Sequence, residues 1–306
     1  MKTKALIVAM ILCAGIGSLT AARYYTDITT VGTSAEMMGI GNVQGFSQQA
    51  SVILESPAGL SYAKNSFSGF YTSFNGGADY MTSAFSFNPQ PELTIAIGAA
   101  YQRSSGLDVT STNNANEYVA NSQFDVDVIQ TAIGVDYRLL DTVHIGAAWT
   151  GYASNLYDIH GSGADWTIGL RCQTPIGDLI ATGKNILGNH ITFTDGTYET
   201  LARQWSIGYK STPSYFFDSE IFAQIKHIDG IDSLAKNIGI RVYPLEAQIL
   251  SLSVGYKDKL VISSLKQTIT AGAILHLGSF SIEYGYDTTD VYQDAQQHYV
   301  SFGIKY

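Results

Sequence analysis

Four cations, Arg171, Lys210, Arg241 and Lys257, fall on the polar side of segments in which apolar and polar residues alternate. A basic side chain on such a wall can hold a carboxylate by charge-assisted hydrogen bonds. These four are therefore candidate binding residues for a carboxylate. Glu220, Lys226, Glu283 and Lys305 share the same side and supply a rival chemistry, the charged lining of an aqueous channel for small polar solutes. Asp125 and Asp127 lie on one strand face beside the longest loop; calcium chemistry would use such a pair, and a solvated loop stem explains it more simply. His144 and His276 are scattered and read as wall residues rather than metal ligands.

Catalytic patterns are missing. Gly39-Ile40-Gly41 followed by Gly45 has the wrong spacing for a dinucleotide loop, and no strand of the required kind precedes it. Neither a Gly-x-Ser-x-Gly elbow nor a His-Glu-x-x-His pair occurs. A binding or transport protein without cofactor or catalytic metal is expected.

The elements that must position these cations are strands. Phe280, Ile282, Tyr284 and Tyr286 alternate with Ser281, Glu283, Gly285 and Asp287, and Leu250, Leu252, Val254 and Tyr256 alternate with Ser251, Ser253, Gly255 and Lys257. The pattern predicts strands near 66–74, 79–88, 93–103, 121–139, 142–153, 162–173, 178–189, 201–211, 215–228, 235–244, 247–258, 263–277, 279–288 and 296–306. A phase change between Val128 and Ile129 suggests a bulge there, or a strand that outruns the bilayer. Short turns alternate with longer polar loops at 104–120, 154–161 and 190–200, the asymmetry of a barrel with periplasmic turns and outer loops.

Composition points the same way. Charged residues are 14% of the chain, against about 25% in a soluble domain. Low charge, 20 Tyr and 30 Gly without an apolar spanning helix describe an all-β transmembrane antiparallel barrel of about fourteen strands. A soluble sandwich is the alternative fold. The net charge of −9 argues against nucleic acid. Lys2 and Lys4, the apolar run Ala5 to Ile16 and the small patch Thr20-Ala21-Ala22 predict a signal peptide over 1–22, which leaves Cys172 as the one mature cysteine. At the other end Val300, Phe302, Ile304 and Tyr306 share one face, a lipid-facing strand that resembles the signal read by the barrel assembly machinery. A bacterial outer-membrane location, contact with the lipid bilayer and a monomeric state are expected.

Gly98, Gly134, Gly146, Gly169, Gly208, Gly239, Gly255, Gly272, Gly285 and Gly303 recur mid-strand on the inward face. Glycine inside a strand weakens it unless the wall bends or something approaches closely. Curvature and room for a plug are the two readings.

Residues 23–62 are of another kind, rich in small residues and without strand alternation. Gly32-Thr33-Ser34-Ala35-Glu36-Met37-Met38-Gly39-Ile40-Gly41-Asn42 leads to Ser56-Pro57-Ala58-Gly59-Leu60. This order resembles the FadL long-chain fatty-acid transporter superfamily, including its PorV-like branch, with Ser56 where an Asn-Pro-Ala-Gly-Leu signature begins with Asn. The resemblance implies an N-terminal hatch at 23–62 inside a barrel at 63–306, with Gly39, Gly41, Pro57 and Gly59 at the hatch or gate. It also implies a small hydrophobic ligand such as a long-chain fatty acid or lipid, or, on the PorV-like pattern, a scaffold for protein export or surface attachment.

Overall fold

The computed structural model describes residues 24–25, 27–74, 77–112, 118–213, 218–245, 248–261, 264–288 and 296–306. The expected signal peptide and the loop at 289–295 lie outside the described residues. Fourteen antiparallel strands form the wall. They are β1 (Ser66–Phe74), β2 (Ala78–Gln90), β3 (Leu93–Thr112), β4 (Tyr118–Leu140), β5 (Val143–Leu156), β6 (Ile159–Thr174) and β7 (Gly177–Lys184). The other half comprises β8 (Gln204–Ser211), β9 (Ser219–Ile228), β10 (Ala235–Val242), β11 (Leu250–Val261), β12 (Ser264–Leu277), β13 (Phe280–Asp287) and β14 (Gln297–Lys305). Each pairs with the next, and β14 returns to β1 from Val300↔Tyr71 to Lys305↔Ser66, which closes the barrel.

The wall is inside out relative to a soluble protein. Outward Ile97 and Ile133 are 51% and 50% exposed, whereas inward Glu283 and Lys257 are 1% and 3% exposed. An apolar belt outside and polar side chains inside is what lipid on one side and a polar lumen on the other select. Turns are tight on the expected side. Gly278, at φ 66, lets β12 reverse into β13 where a side chain would be strained.

Four expectations need correction, the first being the loop at 154–161, which is only the turn 157–158 between β5 and β6. The stretch 104–120 is largely strand: β3 runs to Thr112 and β4 starts at Tyr118, with register shifts between Ser104 and Leu107 and between Val109 and Thr110. The β3–β4 ladder is unbroken from Val126 to Tyr137, so the phase change at Val128 is not a bulge. Polar residues there mark a hairpin that outruns the apolar belt. Strand β7 also ends early, at Lys184, and the expected loop at 190–200 holds its own two-stranded ribbon, His190–Phe193 with Tyr198–Leu201. That ribbon pairs with β6 at Gly161↔Phe193 and Ser162↔Thr192, and Tyr24–Tyr25 lies parallel to its second strand. Ile191 and Leu201 bury against Tyr25 and Tyr152, which explains why the loop folds down instead of standing in solvent.

A wall whose backbone bonds are all met between neighbouring strands has no edge at which detergent can begin to unzip it. Unheated protein is therefore expected to run faster than boiled protein on a denaturing gel. Identical mobility in both states would contradict the closed wall.

Candidate functional site

Residues 27–65 pack against the inward face of the strands, and most of their side chains are buried. They form short turns of helix: Ile28–Val31, α1 (Ala35–Gly39), Ala50–Leu54 and Pro57–Tyr62. Ser34 caps α1 by accepting from Met37 N–H, as Asp27 caps the first turn by accepting from Thr29 N–H. Such broken backbone leaves many N–H and C=O groups without partners of their own. The inward polar side chains supply them. Ser301 Oγ accepts from Ala35 N–H at 3.0 Å, Glu283 from Glu36 N–H at 3.1 Å and Thr270 Oγ1 from Gly41 N–H at 3.0 Å. Gln224 accepts from Gln44 N–H at 3.3 Å and donates to the Gln44 carbonyl at 3.2 Å.

The inward glycines are the steric counterpart. A Cβ added at Gly98 would lie 2.8 Å from Ile53, one at Gly208 would lie 2.9 Å from Phe46, and one at Gly146 would lie 2.5 Å from Ala58 N. At Gly239 and Gly255 it would collide with the backbone of Ile40 and Gly41. Gly169 meets Ser56 and Ala58, Gly272 meets Gly39, Gly285 meets Ala35 and Met38, and Gly303 meets Gln49. Gly134 alone of the ten meets only its neighbouring strand, at Ala147 and Ala148. Gly239 pairs directly with Gly255, and Gly272 with Gly285, so four adjacent strands present a shallow groove in which α1 and its following turn rest. Close approach, rather than curvature alone, accounts for nine of these glycines.

The four sequence-selected cations are dispersed along this contact and each already has a carboxylate. Arg171 pairs with Asp178 at 3.0 Å, donates to Ser61 Oγ and lies 3.8 Å over the Tyr62 ring. Lys210 pairs with Glu220 at 2.8 Å. Arg241 sits between Glu36 at 3.0 Å and Glu220 at 3.7 Å, so Lys210, Glu220, Arg241 and Glu36 form a chain of charges from the wall into α1. Lys257 pairs with Asp287 at 2.7 Å. The structure thus ties three of the four to carboxylates of the wall and Arg241 to one of the N-terminal segment as well. Gly39 and Gly41 lie against β10 to β12, Pro57 starts the turn that meets β5, and Gly59 packs on Gly45 and Val52 within the segment.

Sequence reasoning passed over Lys184, whose ammonium donates to Thr29 Oγ1 at 3.0 Å and to the Leu54 carbonyl at 2.6 Å, with Asp27 at 3.6 Å. Its signal was the inward series Asp178, Ile180, Thr182 and Lys184, obscured by extending the strand to 189. The acidic residues of the segment, Asp27, Glu36 and Glu55, were missed too. Asp125 and Asp127 are taken by Arg103 and Tyr101, and His144 Nδ1 lies 3.0 Å from Asp136. Among the described residues no group of three or more His, Cys, Asp or Glu is arranged to hold a metal.

Glu55 is fully buried in the segment and ties two of its turns together by accepting from Gly45 N–H at 2.6 Å and from Thr33 Oγ1. Burial pushes its carboxyl up from 4.5 to about 7, against the opposing pull of those hydrogen bonds and of Lys184. A folded value above the unfolded one means that the folded state holds the extra proton between the two. Docking of the segment is therefore strongest below pH 4.5 and weakens, by on the order of 3 kcal/mol, as pH rises through 7. Protease resistance of residues 27–62 should fall over that window in the wild type and fall less steeply in Glu55→Gln; parallel profiles would contradict the assignment.

No protein-family model matches the sequence, and no curated protein matches it. Solved structures do. The Ralstonia pickettii toluene transporter TbuX superposes with a TM-score of 0.60 at 12% identity, over 92% of this chain and 100% of its own. The P. putida toluene transporter TodX gives 0.59 at 15% identity, over 90% and 99%. A Pseudomonas aeruginosa FadL homologue gives 0.62 at 9% identity, over 93% and 100%. The fold is FadL-like. The closed wall and the exposed apolar belt of this chain fit a barrel set in a lipid bilayer.

Proposed function

We propose that this chain is an outer-membrane channel for small hydrophobic molecules, with residues 23–62 as its hatch. The observation that carries the reading is the fit of Ala35–Ala58 to glycines on nine inward strand positions. A wall carved to receive a segment serves a passage that is closed until the segment shifts. Burial of Glu220 and Lys226, at 4% and 7% exposure, weighs against a general porin, whose lining charges would be wet. The toluene transporters TbuX and TodX share the fold and support a hydrophobic cargo, as does the FadL homologue. The gate positions are Gly39, Gly41, Pro57 and Gly59, where a shift of the hatch would first part segment from wall or turn from turn. Arg171, Lys210, Arg241 and Lys257 act in this scheme as anchors rather than as ligand contacts.

The test compares outer-membrane vesicles with and without the protein. Uptake of a fluorescent hydrophobic probe should rise with the protein, while swelling in small sugars should not. Rapid swelling without added probe uptake would favour the porin.

A further inference from the structure

We propose that the ribbon formed by His190–Phe193 and Tyr198–Leu201 is a lid over the outer mouth of the lumen, latched by Asp165, with Tyr24–Tyr25 moving as its third strand. This rests on the channel reading above and adds the element that regulates entry.

The ribbon lies against the inward face of β6. A Cβ added at inward Gly163 would lie 2.6 Å from the His190 carbonyl oxygen and 3.1 Å from Ile191 Cα, and one at Gly161 would lie 2.5 Å from the Phe193 ring. Close approach of another element is what these two glycines allow. Ile191 and Leu201 are 0% and 1% exposed and close over Tyr25 and the inward Tyr152 of β5. Tyr24 and Tyr25 run parallel to the second ribbon strand at Thr200 and Leu201. Two residues after Tyr25 comes Asp27, which caps the first turn of the N-terminal segment. The start of that segment is thus a strand of the ribbon.

The ribbon is lightly joined to the wall. The β6–β7 ladder stops at Ile168↔Gly183, and above it the ribbon meets β6 at Gly161↔Phe193 and Ser162↔Thr192. The chain enters the ribbon through Asn185 and Gly188, both left-handed at φ 52 and φ 66. One backbone bond holds this entry to β6, from Ile186 N–H to the Trp166 carbonyl at 3.1 Å. Asp165, 1% exposed, supplies the stronger hold. Its carboxylate accepts from Leu187 N–H at 3.0 Å and Asn189 N–H at 2.9 Å, as well as from Trp166 N–H at 2.6 Å. Bonds to a carboxylate are stronger than those between neutral groups. Asn189 Nδ2 adds a bond to the Ala164 carbonyl at 2.8 Å. A covering with a short ladder, a left-handed root and one principal latch can open locally while the wall below keeps its bonds.

Disulfide locks test the lid in a Cys172→Ser background. Ser162→Cys with Thr192→Cys bridges a directly paired position and fixes the ribbon to β6. Uptake of a hydrophobic probe should be lost on oxidation and return on reduction. Tyr24→Cys with Thr200→Cys joins two strands of the lid to each other, so oxidation there should leave uptake intact. Asp165→Asn acts in the opposite sense, because an amide nitrogen cannot accept and one N–H of the root loses its partner. Leu201→Cys should then label with a water-soluble maleimide about tenfold or more faster than it does beside the native Asp165. Uptake untouched by the Ser162–Thr192 lock would overturn the lid and leave the channel reading standing. Loss of uptake in the Tyr24–Thr200 lock would show that the two strands must part rather than move together. Labelling unchanged by Asp165→Asn would overturn the latch even in a protein that takes up no probe. If Asp165→Asn does not assemble, the two locks decide.

Discussion

Arg241→Met is expected to loosen the N-terminal segment more than any other single change to a side chain. The guanidinium is 2% exposed, pairs with Glu36 of α1 and Glu220 of β9, and lies 5.1 Å over the Phe222 ring. Lys210 still neutralises Glu220 in the variant, but Glu36 keeps, among the described residues, just the hydrogen bonds from Ser47 Oγ at 3.0 Å and Gln48 N–H at 3.2 Å. Removing one member of a buried ion pair costs about 3–5 kcal/mol, because the stranded charge stays in a poorly solvating site. The expected result is rapid cleavage within 27–62 by a protease that spares the wild type, with the barrel itself still heat-modifiable. Adding Glu36→Gln removes the stranded charge and should restore much of the resistance. Unchanged resistance in Arg241→Met would show that the pair does not hold the segment.

Gly255→Val carries the second large effect, through shape instead of charge. A side chain at that position meets the backbone of Ile40 and Gly41, which follow α1 and have nowhere to retreat, since Gly39 already abuts Gly272. Overpacking a rigid contact costs about 1–3 kcal/mol or forces the intruding element out. Displacement of α1 should make a cysteine placed at Ala35 reactive to a water-soluble maleimide, where the parent is inert. Gly98→Ala is the informative contrast. Its new methyl would lie 2.8 Å from Ile53 Cγ2 and 3.3 Å from Leu54 Cγ and Ala84 Cβ, side chains rather than backbone, so labelling should rise far less than in Gly255→Val. Equal labelling of the two variants would mean that the glycines answer to wall geometry alone.

The strands were legible because lipid and a polar lumen impose a period of two along each of them, and residues such as Ile282, Glu283 and Tyr284 obey it without exception. The inward glycines were legible for the same reason, although their purpose was not, since bending and close approach both select glycine. Contacts with Gly39, Ile40 and Gly41 separate the two. Charge partners were beyond reach of the sequence. Arg241 meets Glu36 across more than two hundred positions of chain, and nothing local to either residue encodes the other. The ribbon at 190–201 was hidden by its polar loop composition, with Ile191 and Leu201 too sparse to reveal that the loop folds onto Tyr152. Lys226 and Arg241 looked alike as inward cations on neighbouring strands; only the surroundings show that Arg241 meets two carboxylates, whereas Lys226 donates to the Gln44 amide oxygen.

Single-channel recording in a planar bilayer tests the hatch most directly, by comparing the full-length barrel with one lacking residues 27–55. The full-length protein should be quiet, because the segment packs across the inward face of strands around the barrel. The deletion removes that packing and exposes Glu283, Lys226 and Arg241 to water, so it should open a stable, ion-conducting pore. A full-length protein that already conducts as an open porin, or a deletion that stays as quiet as its parent, would contradict the hatch.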